Sequence, residues 1–82
     1  MKRRGKVEII NDILKLCVVP SLKTHIVYKC NLNFVIVLRY LNWCFLSGWL
    51  IKDGDLYKTT QLGKDYLRMI VPTIESLEFI AH

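Results

Sequence analysis

Groups from which catalytic and metal centres are built are scarce in this sequence. It has two histidines, His25 and His82, three cysteines, and seven acidic residues in 82. No two carboxylates, no Cys/His arrangement and no glycine-rich loop stand at a spacing suited to acid–base, nucleophilic or phosphate chemistry, so no catalytic residue is assigned. Cys17, Cys30 and Cys44 lie thirteen and fourteen residues apart, without a CxxC and without a histidine at zinc-site spacing, so neither metal nor cofactor is expected. Buried thiols are the simplest reading, although a Cys17–Cys30 bridge between the ends of neighbouring helices stays open. Four glycines and two prolines leave no linker and no low-complexity segment, so residues 1–82 read as one domain.

What is abundant is apolar surface and positive charge. The hydrophobic fraction, 52%, excludes a disordered chain. A chain this short cannot bury all of that surface internally, so part of it is expected to meet a second subunit. The charge of +5 is uneven. Residues 1–30 carry seven Lys/Arg against two acids, whereas residues 31–82 carry five of each. A basic end attracts nucleic acid or anionic membrane, or is simply a solvated face. Residues 34–51 form an apolar run with the single charge of Arg39, which in a bilayer would cost about 2.5–3.5 kcal/mol. Asn42, Ser47 and Gly48 interrupt it further, and the Lys2-Arg3-Arg4 start leads into an amphipathic stretch instead of an apolar signal core. The expectation is a cytoplasmic protein with no membrane partner.

Periodicity predicts four helices and a hairpin. Ile9, Ile13 and Leu16, with Ile10 and Leu14, mark a first helix over 6–16, ended by Val18-Val19-Pro20-Ser21. A second helix is expected over 22–29, with Ser21 as its N-cap and Ile26, Leu22 and Tyr28 facing inward. Residues 30–33 make a tight connection, and Asn33 caps a third helix over 34–46. The inner face of that helix should be Phe34, Val37, Leu38, Leu41, Cys44 and Phe45. Its outer face should be Asn33, Val35, Ile36, Arg39, Tyr40 and Trp43. Ser47-Gly48 ends it. Two strands, 49–52 and 55–59, then flank Asp53-Gly54, read as a type I′ turn. Thr60 caps a last helix from Gln61, in which Leu67, Ile70, Ile74, Leu77 and Ala81 form a short coiled-coil seam, kinked near Val71 by Pro72. The seam serves either a partner chain or the protein's own first helix.

The order helix, helix, helix, hairpin, helix is α+β, mostly α: a winged helix-turn-helix arrangement with a two-stranded wing. Particular residues carry a closer resemblance. They are Lys6-Val7-Glu8-Ile9-Ile10 with Ile13-Leu14, Lys23-Thr24-His25-Ile26-Val27-Tyr28, Asn31-Leu32-Asn33-Phe34, Arg39-Tyr40-Leu41, and Tyr57-Lys58-Thr59-Thr60-Gln61-Leu62-Gly63. Over residues 3–70 the chain resembles small archaeal winged-helix DNA-binding proteins that dimerise through a C-terminal helix. Such proteins look like transcription regulators or chromatin-type binders, encoded by archaeal viruses and plasmids as well as chromosomes.

The resemblance implies a homodimer on double-stranded DNA, with 61–82 as the dimerisation helix and Leu67, Ile70, Ile74 and Leu77 at its interface. The 34–46 helix would enter the major groove, where Asn33 and Arg39 are its polar readers and Val35 and Ile36 meet thymine methyls. Lys23, Thr24, His25 and Lys29 would meet phosphates, Lys52 and Lys58 would act from the wing, and Lys2, Arg3 and Arg4 would form an arm. Most of the outer helix face is apolar, however. A protein-interaction module using Val35, Ile36, Tyr40 and Trp43 is therefore the competing reading.

Overall fold

Helix α1, Lys6–Leu16, exists because one side of it can be buried completely. Ile9, Ile10, Ile13 and Leu14 enter the core, followed by Cys17 just beyond the helix end. Glu8 in its first turn and Lys15 in its last complement the helix dipole. In this computed structural model the described residues are 5–69. They continue as β1 (Ser21–Leu22), α2 (Lys23–Cys30), α3 (Phe34–Leu46), β2 (Leu50–Asp53), β3 (Leu56–Thr59) and a helical stretch over 61–69, here α4.

β1 is a strand where the sequence suggested a helix cap. Ser21 and Leu22 pair antiparallel with Tyr57 and Leu56, giving a three-stranded sheet in the order β1–β3–β2. Ser21 is buried, and its hydroxyl donates to the Val19 carbonyl at 2.8 Å instead of capping α2. Two residues are too few for alternation to be seen in a sequence; only pairing with β3 defines the strand. α2 therefore starts at Lys23, with extended Leu22 before it and no side-chain cap. Its buried residues are Ile26 and Cys30, whereas Tyr28 is 80% exposed and Leu22 also faces solvent. Asn31 ends the helix in the left-handed region (φ 52°), a conformation asparagine tolerates better than most residues.

The Asn33 cap of α3 is present as expected: its Oδ1 accepts a hydrogen bond from the Ile36 amide at 2.8 Å. Val37, Leu41 and Cys44 bury the inner side of α3, and Gly48, at φ +78°, turns the chain out of it. This turn divides the apolar 34–51 run into a helix and a strand. No helix among the described residues is long and apolar enough to cross a membrane.

The hairpin differs from expectation by one residue. Asp53 pairs with Leu56, which makes Gly54-Asp55 the loop. Gly54 has φ +60° and Asp55 is not left-handed, so the pattern is that of a type II′ turn, with glycine first. β3 is tied to α1 by two bonds. The Thr59 amide donates to the Cys17 carbonyl at 2.9 Å, and the buried Thr59 hydroxyl donates to the Leu14 carbonyl at 2.7 Å.

Thr60 caps α4 as anticipated. Its Oγ1 accepts from the Gly63 amide at 3.1 Å and donates to the Gly48 carbonyl at 2.6 Å. Trp49 stacks on Tyr66 with ring centroids 4.1 Å apart, and Leu67 packs half-buried against the same core. The other seam residues Ile70, Ile74, Leu77 and Ala81, and the kink at Pro72, lie outside the described residues. Cys17, Cys30 and Cys44 are all buried as thiols, and the Cys17–Cys30 bridge is not formed.

Candidate nucleic-acid interface

Three elements converge beside the start of α3. α2 brings Lys23 and Thr24, α3 brings Phe34, and the hairpin brings Lys52, Asp55 and Tyr57; together they line an open cleft of about 240 Å³. The Lys23 ammonium lies 5.5 Å from the centre of the Phe34 ring, and that of Lys52 lies 5.6 Å from Tyr57. Both distances are within cation–π range, so the aromatic faces help to hold the two ammoniums beside the α3 N-terminus. Asp55 adds one negative charge at the turn.

The sheet register decides which wing lysine joins them. Lys52 pairs with Tyr57, and Ile51 pairs with Lys58. Directly opposed residues share a face and successive residues alternate, so Lys52 shares the face of Tyr57 while Lys58 projects from the other. On that outer face Leu22, Ile51 and Leu56 are also exposed. The structure thus brings Lys23, Thr24 and Lys52 together and separates Lys58 from them.

His25 is likewise set apart. It is exposed, and it lines a shallow depression with Lys15, Pro20, Leu22 and Leu56 instead of the Lys23–Lys52 cleft. Lys29 is exposed in the last turn of α2, one helical turn beyond His25 on the same side. Lys2, Arg3 and Arg4 lie outside the described residues.

α3 is rotated relative to the sequence expectation. Phe34 and Leu38, assigned inward, are 48% and 40% exposed, whereas Ile36 and Tyr40, assigned outward, are half-buried on the α1 side. The exposed stripe is Val35, Arg39, Asn42 and Leu46, at spacings of four, three and four. Asn42 is the polar residue that sequence reading missed, and only this spacing could have found it. Arg39 is exposed as expected. Asn33 is exposed too, but its carbonyl oxygen is committed to the cap, which leaves its NH₂ as the available donor.

On the flank away from the wing, α3 and α1 enclose a groove of about 430 Å³. Lys6 and Ile9 come from α1, Leu32 from the connection, and Ile36, Arg39, Tyr40 and Trp43 from α3. Lys6, which the sequence marked only as part of the basic end, is here a neighbour of the α3 face.

α1, β1, α2 and α3, followed by a two-stranded hairpin whose β3 pairs with β1, define a winged helix-turn-helix domain. The chain belongs to the winged helix-turn-helix family, which it matches over residues 3–78. Among solved structures it is similar to Sso10a-2, a DNA-binding protein from Sulfolobus solfataricus. The TM-score is 0.79 and the identity 29%, over 95% of this chain and 86% of that one. Comparison with curated proteins yields no match.

Proposed function

We propose that this chain binds double-stranded DNA as a cytoplasmic homodimer, acting as a transcription regulator or a chromatin-type protein without enzymatic activity. The observation that carries the reading is the assembly of Lys23, Thr24 and Lys52 beside the α3 N-terminus, in a fold shared with a DNA-binding protein. Arg39 on the outer stripe of α3 supplies a side chain for a base edge or phosphate. Lys2, Arg3 and Arg4 extend the positive charge, His25 and Lys29 take peripheral positions around a grip on the backbone, and Lys58, on the outer face of the sheet, stands apart from it. Dimerisation through Leu67, Ile70, Ile74 and Leu77 would set two α3 helices on successive major grooves, about 34 Å apart.

The test is fluorescence anisotropy with a random-sequence duplex across a salt series. Affinity should fall steeply, by close to one unit of log–log slope for each phosphate neutralised. A flat response between low and moderate salt would sink the reading. Selection of bound sequences from a random pool then separates a site-specific regulator from a general binder.

One observation favours a second reading. Val35, Leu38, Trp43 and Leu46 leave much apolar area of α3 exposed, as a protein-interaction module would require. Substituting Arg39→Ala together with Lys23→Ala abolishes duplex binding under the first reading. Under the second, capture of a protein partner survives the same pair of changes.

A further inference from the structure

The groove between α1 and α3 has the makings of a small-molecule site. Its volume of about 430 Å³ falls in the range of about 300–1,000 Å³ usual for such sites. Ile9, Leu32 and Ile36 make it apolar, and Tyr40 and Trp43 add a stacked aromatic pair with centroids 6.1 Å apart. Into this apolar lining come two cations, Lys6 and Arg39, and no acidic residue. Among the described residues neither cation has an ion-pair partner.

Flat apolar walls with two uncompensated positive charges select an anion that has a planar apolar body. A neutral aromatic molecule forgoes the charge contacts, and a cation is repelled. The chain's own Lys2-Arg3-Arg4 segment has the wrong sign to fill the groove. We propose that this groove binds a small aromatic carboxylate, with its ring against Tyr40 and Trp43 and its carboxylate on Arg39 and Lys6. The guanidinium of Arg39 suits that role because it meets a carboxylate with two parallel hydrogen bonds. Arg39 also belongs to the exposed stripe of α3, so an occupied groove withdraws it from DNA. That competition rests on the proposed function, whereas the site itself does not.

The probe is 1-naphthoate, titrated into the full chain and followed by two-dimensional NMR. The Trp43 indole N–H reports on the groove; that of Trp49, which stacks on Tyr66 and does not line it, is the control. Saturable shifts at Trp43 are expected, with a Kd on the order of 1 mM or below for a ligand of this size. The alcohol 1-naphthalenemethanol, and the acid with Lys6→Gln or Arg39→Gln, should each bind about tenfold more weakly. Equal binding of acid and alcohol, indifference to both substitutions, or no saturable shift at Trp43 would overturn the site. In the anisotropy assay, saturating 1-naphthoate should weaken duplex binding of the unaltered chain and not of Arg39→Gln. If duplex affinity is unchanged while Trp43 titrates, the competition is overturned and the site stands. If no duplex binds at all, the DNA reading fails, and the NMR arm alone decides the site.

Discussion

Gly63 has no room for a side chain. A Cβ built on it would lie 2.5 Å from the Trp49 carbonyl oxygen and 2.7 Å from Thr59 Cγ2. That carbonyl is not free to retreat, because it accepts the Thr60 amide at 2.9 Å. In an open helix a Gly→Ala change gains up to about 1 kcal/mol of propensity. Here overpacking, at roughly 1–3 kcal/mol, should outweigh that gain, so Gly63→Ala lowers the denaturant midpoint. A raised midpoint would show that the α4–Trp49 approach is looser than described. The buried thiols carry a second prediction at this scale. Burial pushes Cys17 from 9.0 up to about 12, with Cys30 and Cys44 adding to the effect, and burial alone does the same for Cys44. Unfolded thiols ionise near 9.0 while the folded ones stay protonated, so the stability they contribute is complete below about pH 9. It is lost as pH rises toward 12. The melting temperature should therefore fall across that window, and iodoacetamide at pH 8 should leave the folded chain unmodified; rapid labelling would contradict their burial.

Among the elements, α3 depends on its cap and the wing on its register. Asn33→Ala removes the acceptor for the Ile36 amide and should cost about 1 kcal/mol in unfolding free energy. Asn33→Asp keeps that acceptor and should retain stability, yet it places a negative charge at the proposed DNA surface and weakens duplex binding. The two substitutions thus separate the structural role of Asn33 from its binding role. For the wing, Lys52→Gln should reduce the salt slope of duplex binding by about one unit, and Lys58→Gln should leave it unchanged. The reverse result would mean that the outer face of the sheet, not the Tyr57 face, meets the phosphates.

Apolar surface dominates at the scale of the whole molecule. Beyond the exposed residues of α3, the sheet exposes Leu22, Ile51 and Leu56, and the α1–β1 connection exposes Val18 and Val19. Leu67 is committed in part to the chain's own core, so the proposed partner seam would rest chiefly on Ile70, Ile74 and Leu77. Ile74→Asp combined with Leu77→Asp should convert a dimer to a monomer in sedimentation velocity, with the far-ultraviolet spectrum of the winged helix kept. Duplex affinity should fall with it, because two linked half-sites become one. A dimer that survives both changes would place the interface elsewhere.

Sequence alone determined whatever rests on local chemistry or strong periodicity. Examples are the α1 stripe, the Asn33 and Thr60 caps, the glycine turn at Gly48, the hairpin's existence and the succession of three helices before it. Each is set by neighbours within a few residues, so the chain carries its own record of them. Tertiary structure decided the rest. The rotation of α3 was not legible because Arg39 is its only charged residue, which leaves an almost wholly apolar helix without a phase. β1 exists only through Tyr57 and Leu56, more than thirty residues away. Lys52 and Lys58 fall on opposite faces with either two-residue turn; what the Gly54-Asp55 turn decided is that Lys52 stands opposite Tyr57, two residues beyond its expected partner Asp55. Net charge marked the basic end of the chain. Which cations share a surface (Lys23 with Lys52, Lys6 with Arg39) was decided by how α1, α2, α3 and the hairpin pack, because burying their apolar faces leaves the charges no other place to emerge.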